Sequence, residues 1–330
     1  MNSSPLGSLG IAAWVLGLSL AGWLSLPETL QATDFILTSS EQQSGTKVTL
    51  LDTFFLNSER GWTVGAGGTI LHTQDGGKTW KSVPRRTNAL LTGVFFASND
   101  QGWVVGQNGT ILHSQDGGRK WRPQVSGTAS ALFGLFFFDP SHGWTVGTRG
   151  TILRTVDGGR IWEDQHSGTS ADLFGIQFLD QQQGWAVGAL GVILATRDGG
   201  VHWSQQKTDS FATFLDVFLT DGQTGWVVGT QGAMFHTITG GEKWIDRTRP
   251  CGSPCIRPAD LLRVRFTNQQ SGWVVGERGA FLYTSDAGFT WLEPELPNPI
   301  SLYGLAFPTS REGWAVGEQG TIIKIIGPPS

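Results

Sequence analysis

A five-residue phrase, Gly-Trp-X-Val-Gly, recurs seven times in this chain of 330 residues. Successive copies lie 41 residues apart, except that the fifth and sixth are 47 residues apart. The copies begin at Gly61, Gly102, Gly143, Gly184, Gly225, Gly272 and Gly313. A fixed period of this length is typical of repeat proteins, in which each unit buries its apolar surface against its neighbours. The period predicts a single domain over residues 33–330, because the repeats leave no room for another.

Each repeat before the last contains four short segments that favour β-strands. In the second repeat, Leu91–Phe96 is rich in β-favouring residues, and the phrase at Gly102–Gly106 is the next strand. Asn108-Gly109 is a tight-turn signal, and two further strand segments follow before Val125. Four antiparallel strands per repeat form one propeller blade. We therefore predict an all-β, seven-bladed β-propeller of four-stranded antiparallel blades.

The last repeat lacks its fourth strand, because the chain stops soon after a third-strand segment at Thr321–Ile326. A spare strand-like stretch, Asp34–Thr38, stands before the first repeat. We predict that this N-terminal strand completes the last blade, with Phe35 in the place of the missing tryptophan. Such closure joins the two ends of the chain and removes open sheet edges.

Alignment on the phrase tryptophans indicates which inner-strand side chains face the central channel. Residues nine and seven before the tryptophan are mostly large and apolar, which predicts the core between blades. Strand alternation places the residues ten and eight before it on the opposite, channel-facing side. Ten before stand Asp52, Gly93, Gly134, Gly175, Asp216, Arg263 and Gly304. Eight before stand Phe54, Phe95, Phe136, Gln177, Phe218, Arg265 and Ala306.

A second phrase follows six of the seven copies and resembles the Asp-box, also called the bacterial neuraminidase repeat. Its clearest copy is Thr73–Trp80, whereas the fifth copy has Thr239 where the others have aspartate. An aspartate can accept backbone hydrogen bonds in such a turn, and glycine permits positive φ. We expect the box aspartates to be structural: Asp75, Asp116, Asp157, Asp198 and Asp286.

The two phrases together resemble the photosystem II stability and assembly factor family of cyanobacteria and plastids. The resemblance covers nearly the whole chain from residue 34. It implies a non-catalytic factor, exported to the lumenal side of the thylakoid, that binds the newly made D1 subunit and assists reaction-centre assembly and repair. It implies no cofactor. Many cyanobacterial members resemble lipoproteins, whereas this chain has no N-terminal cysteine.

Arginines concentrate where the repeat is longest. Arg247, Arg249, Arg257, Arg263 and Arg265 fall within 19 residues, and Arg278 lies in the next turn on the same propeller face. A basic spot on an acidic protein can orient an acidic partner, and arginine grips carboxylates in two places. We predict that these six arginines bind D1. The alternative is solubility, together with pairing to the channel carboxylates Asp52 and Asp216.

The N-terminal segment is apolar from Leu9 to Leu26, which is 18 residues and close to the shortest membrane span. Residues 1–32 are interpreted as a signal peptide or a membrane anchor, although no Lys or Arg precedes Lys47. Either interpretation predicts export to the thylakoid lumen or the periplasmic side of the photosynthetic membrane. In an exported protein Cys251 and Cys255 are expected to form a structural disulfide, with free thiols or a redox pair as alternatives.

Other functional classes have weaker support in the sequence. A net charge of −4 argues against nucleic-acid binding. A sialidase needs an arginine triad and a Tyr/Glu nucleophile, yet the only tyrosines are Tyr283 and Tyr303. An Asp-box glycosidase that uses Asp52 and Asp216 therefore stays a minor alternative. The histidines suggest no metal site. A general extracytoplasmic scaffold is the main rival, and we expect a monomer.

Overall fold

The computed structural model describes residues 38–248, 258–296 and 298–328. Strand β1 (Thr38–Gln42) comes first, and the inner strand of blade 1 follows it. Blades 1 to 3 contain β2 (Leu50–Phe55), β3 (Gly61–Gly65), β4 (Thr69–Thr73), β5 (Lys81–Ser82), β6 (Leu91–Phe96), β7 (Gly102–Gly106), β8 (Ile111–Ser114), β9 (Arg122–Gln124), β10 (Leu132–Phe137), β11 (Gly143–Gly147), β12 (Ile152–Thr155) and β13 (Glu163–Gln165).

The remaining strands follow the same order. Blades 4 to 7 contain β14 (Leu173–Phe178), β15 (Gly184–Gly188), β16 (Ile193–Thr196), β17 (Ser204–Gln206), β18 (Phe214–Leu219), β19 (Gly225–Gly229), β20 (Met234–Thr237), β21 (Ile245–Asp246), β22 (Leu261–Phe266), β23 (Gly272–Gly276), β24 (Phe281–Thr284), β25 (Leu302–Ala306), β26 (Glu312–Gly317) and β27 (Ile322–Ile326). Short 3-10 turns join the second and third strands of every blade except blade 2. Within the described ranges no helix is long and apolar enough to cross a membrane.

Seven antiparallel sheets confirm the predicted propeller. Each inner strand contacts the inner strands of both neighbouring blades, so the ring is closed. Within the described residues six sheets have four strands, and blade 6 has three. Its fourth position is reduced to a single bridge between Tyr283 and Leu292, just before a proline-rich stretch. Proline cannot donate a hydrogen bond to a strand ladder, which accounts for the short pairing there.

The N-terminal strand completes blade 7, as predicted, and its described part lies further along the chain. Strand β1 pairs with β27 so that Gln42 faces Ile322 and Ser40 faces Lys324. The described closing strand covers residues 38–42, and residues 34–37 of the predicted strand lie outside the described residues. Comparison with β9, where the strand begins one residue after Trp121, assigns the tryptophan position to Ser39. Phe35 lies outside the described residues.

Stacked aromatic rings fill the space between blades. Phe137 of blade 3 stacks on Trp103 of blade 2 with ring centroids 3.7 Å apart. Trp162 of the second phrase meets the same ring edge-on at 5.9 Å. The same arrangement surrounds Phe55, Phe96 and Phe178. Aromatic rings favour these stacked and edge-on geometries, so these tryptophans of both phrases are structural.

The Asp-box is a turn closed by its own side chains. The Asp75 carboxylate accepts hydrogen bonds from the Thr79 backbone N–H at 2.9 Å and the Thr79 hydroxyl at 2.6 Å. These bonds from Thr79 lower the pKa of Asp75 to about 2. In blade 5 the hydroxyl of Thr239 takes over and accepts the Lys243 N–H at 2.9 Å. The box aspartates are therefore used in turn structure, as the sequence predicts.

Candidate functional site

We call the side of the propeller that carries the 3-10 turns and the blade-to-blade loops the loop face, and the side with the Asp-boxes the box face. The inner strands run from the loop face to the box face. A bulge at the second residue of every inner strand offsets its pairing with the second strand, as between Leu261 and Arg263 in β22. Channel-lining side chains therefore come from equivalent positions in all seven blades.

Arg265 on β22 is held by the neighbouring blade. Its Nη1 lies 2.5 Å from Oδ2 of Asp216 on β18 and also donates to the carbonyl of Val264 at 2.6 Å. The guanidinium lies over the ring of Phe218, 5.9 Å from its centroid. The same Asp216 oxygen accepts the Val264 N–H at 3.0 Å. Arg265 therefore links blades 5 and 6 with an ion pair in which the Asp216 side chain is only 9 % exposed.

Arg263 reaches in the other direction, towards blade 1. Its Nε lies 4.0 Å from Oδ1 of Asp52, and its Nη1 donates to the carbonyl of Leu262 at 2.9 Å. The other Asp52 oxygen accepts the N–H of Val94 in blade 2 at 2.9 Å. Burial raises the pKa of Asp52, against the opposing effects of the Arg263 charge and the Val94 hydrogen bond. Asp52 thus connects blades 1, 2 and 6.

Glycine at the channel row allows this close approach. A Cβ on Gly304 of blade 7 would lie 2.8 Å from the Cα of Asp52 in blade 1. At Gly134 it would lie 2.8 Å from the carbonyl oxygen of Phe174. The predicted glycine row is therefore required because adjacent inner strands nearly touch. The exceptions in this row are Asp52, Asp216 and Arg263. Arg263 and Arg265 of the neighbouring row face these two carboxylates, as in the alternative interpretation of the sequence.

The channel itself encloses a cavity of about 230 Å³ with aromatic walls. Phe54 and Phe95 have ring centroids 4.9 Å apart, and Phe95 and Phe136 are 5.3 Å apart. Gln177 continues the ring by bonding the backbone of Leu219 through both ends of its amide. In the described part of the chain no group of His, Cys, Asp and Glu side chains could hold a metal ion.

The remaining predicted arginines belong to the loop face. Arg247 follows β21 at the start of the long loop, and its side chain is exposed. Arg278 is also exposed, and its Nη2 donates to the carbonyl of Pro258 at 2.7 Å, at the end of the same loop. The structure therefore joins Arg278 to this loop, on the face that the sequence predicts. Arg249 and Arg257 lie outside the described residues, as do Cys251 and Cys255.

Three further exposed arginines among the described residues of the loop face escaped the sequence-based search: Arg85 and Arg86 in the loop between blades 1 and 2, and Arg149 in blade 3. Arg149 occupies the same turn position in blade 3 as Arg278 in blade 6, with φ values of 58° and 54°. Its backbone N–H donates to the Asp172 carboxylate at 2.8 Å. Counting five residues beyond each phrase tryptophan would have found Arg149 in this turn row. The local arginine density drew attention to blade 6 alone.

The two carboxylates of the glycosidase alternative, Asp52 and Asp216, make separate sets of contacts. Asp52 and Asp216 each accept a backbone N–H from the following blade, and each faces a different arginine. Tyr303 donates its hydroxyl to Glu318 at 3.1 Å, near the loop face. This arrangement suits blade-to-blade cohesion, and the exposed arginines suit the binding of an acidic partner.

Comparisons with known proteins identify a matching family and similar solved structures. A family model described as photosynthesis system II assembly factor YCF48 matches residues 38–127, 121–207, 161–249, 207–299 and 255–326. A solved structure described as YCF48 bound to D1 peptide has 21 % identity and a TM-score of 0.71, with 88 % of this chain and 95 % of that chain covered. YCF48 from Cyanidioschyzon merolae has 21 % identity and a TM-score of 0.71, covering 87 % and 98 %.

The fold is also shared with an enzyme. Virginiamycin B lyase from Staphylococcus aureus matches with 13 % identity and a TM-score of 0.76, covering 89 % of this chain and 99 % of that chain. At this identity the likeness concerns the fold alone. A comparison with curated protein sequences gave no significant match.

Proposed function

This chain belongs to the photosynthesis system II assembly factor YCF48 family, and we propose that it binds newly made D1 and assists photosystem II assembly and repair without catalysis. The observation that carries the proposal is that the overlapping family matches extend from residue 38 to 326, across every blade. A relative of the same fold in complex with a D1 peptide supports D1 as the partner.

The exposed arginines of the loop face are the proposed D1 site. Arg247 is exposed at the start of the long loop, and the exposed Arg278 contacts the end of that loop at Pro258 from the blade 6 turn. Arg249 and Arg257 lie between Arg247 and Pro258 in sequence. Arginine pairs with carboxylates through two parallel hydrogen bonds, which gives orientation as well as attraction. In this proposal Arg263 and Arg265 have a structural role, because they already face the channel carboxylates Asp52 and Asp216.

Charge reversal tests this site. We expect Arg247→Glu/Arg278→Glu to weaken the binding of a synthetic D1 peptide by about tenfold or more, which corresponds to about 1.4 kcal/mol. The melting temperature should fall only slightly, because both side chains are exposed, although Arg278 loses its hydrogen bond to the Pro258 carbonyl. Fluorescence anisotropy measures the binding, and Arg122→Glu, an exposed position on β9, is the matched control. Equal affinities of the double variant and the control would refute the arginine site.

Export is part of the proposal. The apolar stretch at residues 9–26 supports delivery to the lumenal or periplasmic side of the photosynthetic membrane, with or without retention as an anchor. Fractionation of cells that express the tagged full-length chain would test this. Recovery of the protein in the cytoplasmic fraction would contradict it. A pull-down from solubilised membranes that contains D1 favours the assembly factor, whereas one that lacks D1 favours a scaffold for another partner.

A further inference from the structure

Each repeat position has six equivalents in the other blades. At the boundary between blades 4 and 5, two exposed apolar residues differ in type from their equivalents. Leu190 lies in the loop-face turn of blade 4 and is 70 % exposed. Its equivalents are Gly67, Asn108, Arg149, Gln231, Arg278 and Gln319. Phe211, three residues before the inner strand of blade 5, is 88 % exposed. Its equivalents are Lys47, Asn88, Ala129, Ser170, Pro258 and Pro299.

These two residues belong to segments that are joined directly. The Gly191 N–H donates to the Ala212 carbonyl at 2.8 Å. The Thr208 hydroxyl donates to the Gly191 carbonyl at 2.8 Å. Leu190 also has φ of 58°, a region that residues other than glycine seldom adopt. These joined segments therefore expose a leucine and a phenylalanine side chain, which form an apolar surface. Exposing apolar surface to water is unfavourable, and exposed apolar patches are typical of binding sites.

A groove opens beside Phe211. Its volume is about 680 Å³, and its lining includes Ala233, Phe235 and Trp244. Asp209 and Asp246 also line it, and both are exposed. No lysine or arginine is among the described residues that line the groove. The groove thus combines an apolar wall with negative charge, which complements a ligand that carries an apolar side chain and a positive charge.

We propose that this groove, flanked by Leu190 and Phe211, binds an extended polypeptide segment with an aromatic or aliphatic side chain next to a lysine or arginine. The two acidic residues favour this ligand over an anionic bilayer surface, which they would repel. The required charge is opposite to that expected for the loop-face arginines. The proposed ligand therefore differs in charge from the D1 segment, although the groove lies next to Arg247, which stands between the lining residues Asp246 and Thr248.

The test uses two labelled ten-residue peptides with the same central phenylalanine, flanked by lysines in one and by glutamates in the other. Anisotropy with the full chain should show binding of the lysine peptide and little binding of the glutamate peptide. Leu190→Gln/Phe211→Ser introduces residues found at equivalent positions of other blades and should weaken binding by about tenfold. Asp209→Asn/Asp246→Asn should weaken binding at low salt and reduce its salt dependence.

Two controls separate binding from folding. Val125→Ser removes another exposed apolar side chain, 84 % exposed in blade 2, and should leave binding unchanged. Leu190→Gly should raise the melting temperature, because glycine adopts positive φ without strain, while still weakening binding. Binding of the D1 peptide should persist in every groove variant. Its loss would show that the two peptides share one site, which would overturn the proposal of a second binding surface.

Other outcomes would overturn the proposal. Equal affinity for both peptides, or no binding of the lysine peptide, would remove the predicted charge preference. Vesicles of phosphatidylcholine with phosphatidylglycerol test the lipid alternative, and binding that is lost in Phe211→Ser would favour it instead. Sedimentation of the wild type as a dimer, with the double variant a monomer, would assign the surface to a second copy of this chain.

Discussion

At the scale of single residues, arginines that lie close together in sequence have different structural roles. Arg263 and Arg265 share a cluster with Arg247 and stand close to Arg278 along the chain, yet both lie on inner strand β22, and Arg265 lines the channel cavity. There they meet carboxylates of blades 1 and 5. These four arginines therefore divide into a pair that links blades and a pair that is exposed to solvent.

Removal of the Arg265 charge should destabilise the propeller. In Arg265→Gln the Asp216 carboxylate, 9 % exposed, keeps its Val264 hydrogen bond but loses its cation. A poorly solvated charge without its partner costs about 2–3 kcal/mol of unfolding free energy. Urea denaturation measures the loss. The double variant Arg265→Gln/Asp216→Asn should recover part of it, because no charge is then left unpaired. Wild-type stability of the single variant would contradict this role.

At the scale of elements, the Asp-box shows that a turn can be stabilised by different chemistries in equivalent places. Carboxylates accept the closing backbone N–H in blades 1 and 4, through Asp75 and Asp198, and a threonine hydroxyl accepts it in blade 5. The lost aspartate of the fifth copy therefore leaves the turn intact. Sequence divergence inside a repeat is tolerated where the replacement supplies the same acceptor.

The carboxylate turns predict a dependence on acid that the hydroxyl turn lacks. Hydrogen bonds from Thr79 lower the pKa of Asp75 from 3.8 to about 2. The stabilisation is therefore complete above the unfolded pKa and is lost as the pH falls through the folded pKa. Asp75→Asn should melt below the wild type at pH 6, and the difference should disappear near pH 2.

Thermal melts between pH 2 and 6 measure this dependence. Asp164→Asn, on the exposed strand β13, changes the net charge equally and is the matched control. A difference between Asp75→Asn and the wild type that persists unchanged to pH 2 would refute the titration of this turn.

At the scale of the whole molecule, the ring is closed by residues from both ends of the described chain. Strand β1 supplies the outer strand of blade 7, along the full length of β27. Its Gln42 side chain also bonds blade 1, donating to the Gly76 carbonyl at 2.9 Å and accepting from the Trp80 Nε1 at 3.3 Å. The closing strand therefore holds two blades together.

Deletion of residues up to Gln42 should consequently destabilise the entire propeller. The loss exposes the β27 edge and removes the contacts between β1 and blade 1. A variant that starts at Gln43 should have a lower melting temperature than one that starts at Leu37, with a single transition if the blades unfold together. Differential scanning calorimetry measures both properties. Equal melting temperatures for the two variants would rule out closure by β1.

The repeat by itself determined the number of blades, the order of strands and the structural role of the tryptophans and box aspartates. These properties depend on local periodicity and turn chemistry. Tertiary structure alone decided the register of the closing strand, since Ser39 carries no local signal of a tryptophan position. It also decided which carboxylates Arg263 and Arg265 face, and that the segments carrying Leu190 and Phe211 are joined. Those relations join residues that are distant in sequence, and only the packing of one blade against the next brings them together.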